Sequence, residues 1–156
     1  MYHFDWSEIR PEIKDTVLYI EKRNGIDSKF TGYAGRLSSF WKTQQWLINA
    51  AKTSELHQLI KYDNSAVKGV VFQGLLERKD PKVFDYIINS VDDEGTVHFQ
   101  LGCVGNAFGL TEYYLFLISS PAKEDYTLKV QDDLFTENQI KIVDSIAEIK
   151  TRYLTN

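Results

Sequence analysis

The residues able to do chemistry in this chain are few and scattered. Its one cysteine, Cys103, stands five positions after His98, and a thiol beside an imidazole is the minimal pair for nucleophilic catalysis. On a regular helix that spacing turns the two side chains about 140° apart. Only a backbone turn at Gly102-Cys103-Val104-Gly105 would join them. The commoner state of a free cysteine is a small buried apolar residue. His3, His57 and His98 are far apart, without His-x-x-x-His or Cys-x-x-Cys spacing, so neither a metal nor a cofactor is expected. Gly102, Gly105 and Gly109 suggest a phosphate cradle, but the Gly-Lys-Ser/Thr ending of a phosphate loop is missing. Asp92/Asp93 and Asp132/Asp133 fall in turn-like segments and read as solvated or helix-capping groups, not as an acid–base pair. No catalytic residue is assigned on this reading.

The aromatic residues are the better lead. The chain holds three Trp, nine Tyr and nine Phe. Trp41 falls on the apolar stripe of its helix. Trp46 lies off that stripe, either packed against the first helix or exposed as a binding anchor, since Trp, Tyr and Arg dominate interface hot spots. Tyr62, Lys68 and Arg78 fall near the turn and outer side of a central helix pair. With Trp46 they form the expected interaction face.

These residues need elements to position them. Trp6, Ile9, Ile13, Val17 and Ile20 recur at helical spacing, so 5–23 reads as a helix ended by Asn24-Gly25. Residues 26–35 read as a loop. A second helix spans 36–52, and a third spans 54–62, capped by Thr53 or Ser54. A fourth spans 65–79, opened by Asn64 or Ser65 and apolar nearly all round, which marks a buried helix. Asp80-Pro81 opens a fifth, through Val91. Residues 96–103 read as a ragged sixth helix broken by glycine. Glu112–Ser119 reads as a seventh, although its apolar run also suits a buried strand. Residues 122–135 show no periodicity, and an irregular or extended segment is allowed around 106–135. Thr136-Glu137-Asn138-Gln139 is a capping box that opens a last helix to about Tyr153.

Composition bounds the rest. The chain has 156 residues, 43% of them apolar, and a formal charge of −4. That length suits one domain over 1–156 with a core of its own. Mild acidity argues against nucleic acid as a partner. Charged residues occupy the place of a signal-peptide core, and no apolar run reaches the roughly 20 residues of a membrane span. A cytoplasmic protein is expected.

A weak internal repeat is present: Asp63-x-x-x-Val67-Lys68 recurs as Asp93-x-x-x-Val97-His98. The pattern resembles HEAT-like repeats, whose inter-helix turn carries an Asp followed by Val and a basic residue. The stretch from Trp41 to Gly105 is similar to bacterial HEAT-like proteins without assigned function. The similarity rests on Thr53-Ser54-Glu55-Leu56, Asn64-Ser65-Ala66-Val67-Lys68, Leu75-Leu76-Glu77-Arg78 and Gly102-Cys103-Val104-Gly105. The resemblance implies an all-α fold, a HEAT-like stack of antiparallel helix hairpins forming an α-α superhelix. Such solenoids present extended surfaces. The expected function is therefore a non-catalytic protein- or peptide-binding module, an acidic antagonist of a basic partner being one form. The alternatives are a thiol-dependent enzyme near His98 and Cys103, and a self-association module.

Overall fold

The computed structural model describes residues 3–32, 34–119 and 134–152. The elements run in the order α1 (Pro11–Arg23), β1 (Ile26–Thr31), β2 (Arg36–Leu37), α2 (Ser39–Ala50), α3 (Thr53–Leu59), α4 (Ser65–Glu77), α5 (Val83–Ser90), β3 (Thr96–Gly102), β4 (Val104–Gly109), α6 (Leu110–Ser119) and α7 (Glu137–Arg152). The strands form one sheet in the order β2-β1-β3-β4. β1 and β3 are parallel, with Ile26 opposite Phe99, and the other two pairs are antiparallel. Of the segment 122–135, residues 122–133 lie outside those described, as does Asp132/Asp133.

The all-α expectation is overturned. The chain is not a HEAT-like solenoid of helix hairpins but an assembly of helices on a mixed sheet. The residues read as a sixth helix are β3. Val97 and Phe99 are buried while His98 between them is exposed, which is the period of two that a pleated strand imposes. Gly102, at φ 58°, takes the first central position of the two-residue turn into β4. A type II′ hairpin needs positive φ there, so this glycine closes a hairpin and does not break a helix. The residues read as a loop after α1 are β1. Ile26, Asp27 and Ser28 are buried in succession, so no alternation marks that strand. The apparent repeat has no structural counterpart, since Val67 enters a helix and Val97 a strand.

The helical expectations hold better. Pro11 opens α1, and Asn24 rather than Gly25 takes the left-handed residue at its end, with φ 54°. Ser38 Oγ accepts from Trp41 N at 2.9 Å and Asn64 Oδ1 from Val67 N at 3.0 Å, satisfying the first free amides of α2 and α4. The capping box of α7 forms between Thr136 and Gln139. The interior is built round α4, in which Val67, Val70, Val71, Phe72 and Leu75 are fully buried. Phe72 stacks on Tyr114 of α6 at 3.9 Å between ring centroids. Gly69 marks the close approach of α4 to the sheet, since a Cβ there would stand 2.6 Å from Ile26 Cδ1 and 2.9 Å from the Tyr113 ring. Among the described residues, no helix is long and apolar enough to cross a membrane.

Candidate functional site: the α1/α2 flank

α1 and α2 run antiparallel, with Arg10 against Ala50 at one end and Tyr19 against Phe40 at the other. Ile13, Val17 and Ile20 of α1 face the core, as do Phe40, Gln44, Leu47 and Ile48 of α2. At 100° per residue, Trp46 projects from the flank of α2 that looks toward α1, beyond the buried stripe. It is 44% exposed, and with Thr16, Lys42 and Thr43 it lines a depression of about 310 Å³. Tyr19, one helical turn from Thr16, is 52% exposed with its ring 5.9 Å from Phe40. The flank therefore offers two aromatic rings, two threonine hydroxyls, one phenol and an ammonium group, and no grouping of a nucleophile with a base.

The other three expected contact residues are held within the fold. Tyr62 is buried, packs against Phe4 and Trp6, and donates its hydroxyl proton to Glu21. Lys68 Nζ donates to Asp93 Oδ2 at 2.8 Å. Burial pushes the Asp93 carboxyl up, but the hydrogen bonds from Lys68 and the Gly95 amide outweigh it and leave the group below the usual carboxylate range. Arg78 Nη2 donates to the carbonyls of Ile48 and Ala51, each at 2.6 Å, and Nη1 to Thr53 Oγ1 at 3.0 Å. Arg78 thus caps the carboxyl end of α2. The structure does not bring these three together with Trp46.

Nor does it pair His98 with Cys103. His98 is exposed on β3 opposite Ala107, and Cys103 is exposed at the tip of the hairpin. At about 3.3 Å per strand residue, the four steps from His98 to Gly102 already span about 13 Å.

A cluster that the sequence did not reveal joins α3 to α5. His57 Nε2 lies 2.8 Å from Asp80 Oδ2, and its Nδ1 lies 2.5 Å from the Tyr86 hydroxyl. A carboxylate only accepts, so Nε2 donates to Asp80, and Nδ1 of a neutral ring accepts from the Tyr86 hydroxyl. Burial, and then the charges of Asp80 and Asp85, push the Tyr86 phenol up. It stays protonated and is not an activated nucleophile or base. Tyr86 borders a cavity of about 210 Å³ with Lys68, Asn89, Ser90 and Asp93. Its members are brought together across 23 and 29 positions of sequence, which leaves no local spacing to read. A wider depression of about 570 Å³ lies over the outer sheet face at Asp27, His98, Gln100 and Ala107. There Asp27 is bonded to Arg23 and Ser38, and Gln100 to the Gly102 carbonyl.

Among the described residues no three His, Cys, Asp or Glu side chains are grouped to hold a metal ion. Comparison with known protein families, with characterised proteins and with solved structures finds no match to this chain.

Proposed function

We propose that this chain is a non-catalytic binding module that engages a protein or peptide partner through the α1/α2 flank centred on Trp46. One observation carries the reading: a tryptophan 44% exposed beside a depression on a helix flank. Covering such a ring removes a large apolar area from water while costing little side-chain entropy, which is why Trp anchors interfaces. Thr16 and Thr43 line the depression beside it, their hydroxyls donating to the Glu12 and Ser39 carbonyls and keeping lone pairs for a partner's donor, and Tyr19 adds a second exposed ring one turn along α1. The chemical groups elsewhere support the same reading, because among the described residues His98 stands well away from the Cys103 thiol and the Tyr86 phenol is pushed up by burial.

The test is site-specific photocrosslinking in extract of the source cells. A photoreactive residue replaces Trp46 in one variant and Leu18, exposed on the opposite flank of α1, in another. The expected result is a discrete adduct from position 46 that weakens with Tyr19→Ala and is absent from position 18. Equal labelling from both positions, or none from either, would overturn the proposal.

A further inference from the structure

The two edges of the sheet are built differently. β2 is two residues long, carries Arg36, and follows the turn at Gly35. A short, charged edge resists the addition of another strand. β4 has none of these protections. Val104–Gly109 contains no charge and no proline, and all six residues pair with β3 in one unbroken register. Among the described residues nothing pairs with its other side, because β4 ends the strand order.

The direction of its free groups follows from the hairpin. Leu101 and Val104 close the two-residue turn and exchange hydrogen bonds, so alternate residues beyond them turn their backbone groups away from β3. These are Gly105, Ala107 and Gly109. The Gly109 amide is spent on Glu112 Oε2 at 3.3 Å. Gly105 and Ala107, both exposed, direct their N–H and C=O groups into open space beside side chains too small to hinder approach. Among the described residues, Glu112 at the end of this strand has no cationic partner.

We propose that the outer edge of β4 accepts an extended segment of another protein as a fifth strand, with a lysine or arginine of that segment beside Glu112. A backbone ladder fits only another extended backbone, and alternate side chains then add specificity. The carboxylate of Glu112 and the chain charge of −4 select a basic segment. A second copy fits poorly. Two such copies would repel, and six residues a side fall well short of the roughly 20–30 a side of a stable interface. This site is separate from the Trp46 flank and stands or falls without it.

The experiment follows amide hydrogen exchange by NMR on the full chain. The probes are two synthetic peptides, Lys-Thr-Val-Thr-Val-Thr and its counterpart with Glu in place of Lys. Added antiparallel, the first residue lies beside Gly109 and Glu112. The expected result is slowed exchange at Gly105 and Ala107 with the lysine peptide and little with the glutamate one. Ala107→Pro removes one outward donor without touching the β3 ladder and should abolish the effect. Should that variant fail to fold, Glu112→Gln provides the check, weakening the lysine peptide by about threefold and erasing the preference. Protection of Gly105 and Ala107 in the dilute chain alone would mean the edge is already filled and would overturn the proposal. So would protection that rises with protein concentration, which would assign the edge to a second copy. No response to either peptide at millimolar concentration would also sink it.

Discussion

The corner where α2 meets α3 and the flank where α2 meets α1 belong to the same helix, yet they use their surface residues in opposite ways. At the corner, Glu55 is 2% exposed and accepts from the Arg10 and Lys52 amides and from the Arg10 guanidinium. Arg10 Nη2 also reaches the Ala50 carbonyl, and Arg78 reaches those of Ile48 and Ala51. Two guanidinium groups therefore satisfy three carbonyls at the end of α2, those of Ile48, Ala50 and Ala51. On the flank, Trp46 and Tyr19 leave large ring surfaces in water. A charged residue at a surface whose donors are spent on its own backbone is part of the fold. An apolar ring with area left over is available to a partner.

That contrast can be broken experimentally, most forcefully at the corner. Glu55→Ala leaves two amides and a guanidinium without their acceptor and should cost about 3 kcal/mol in a urea unfolding titration. A loss no larger than that of an ordinary surface substitution would show that the corner is not a structural lock. Arg78→Ala uncovers two carbonyls and should cost about 2 kcal/mol, and Arg78→Lys should recover only part of it, because a single ammonium cannot reproduce the fork. Gly69→Ala tests the close approach of α4 to β1 and α6. The added Cβ forces Ile26 or Tyr113 to shift, for an expected cost of about 1–2 kcal/mol.

Acid sharpens the comparison further. Burial pushes the Glu55 carboxyl up, but its bonds from Arg10 and the Lys52 and Arg10 amides prevail and hold it below the usual value, as Asp93 is held by Lys68. A depressed folded-state pKa adds stability above the unfolded-state value, which is lost as pH falls through the folded one. Stability should therefore be level near neutrality and fall below about pH 4, the ordinary carboxylate range. Glu55→Gln should flatten part of that fall. Trp46→Ala is the smallest expected effect on stability, about 1 kcal/mol for a half-exposed ring, combined with loss of partner capture. A large drop in melting temperature with capture intact would reverse the assignment of flank and corner.

The helices were legible because their information is local. The stripe of α1, the cap at Asn64 and the box at Thr136 each involve residues within one or two turns. α4 could be read as buried because apolar residues surround it. The β3–β4 hairpin was also locally encoded, by the alternation Val97-His98-Phe99-Gln100-Leu101 and by glycine at the first turn position. There the glycines and the resemblance to helical repeats favoured a helix. β1 had no such signal, since Ile26, Asp27 and Ser28 are all buried. Of the site, Trp46 was legible as a residue off its stripe, while the fates of Tyr62, Lys68 and Arg78 were not.

The sequence by itself marked the segments that coil into the described helices, although it also read 96–103 as one, and it determined that α4 lies inside. A helix bonds each residue to one four positions away, so its partners are written beside it. The tertiary structure alone decided that Ile26 pairs with Phe99, that His57 meets Asp80 and Tyr86, and that Arg78 closes α2 from 27 and 30 positions away. It also decided that Trp46 stays half in water. Strand ladders, long side-chain donors and solvent exposure depend on partners distant in the chain, and only packing brings those partners into reach.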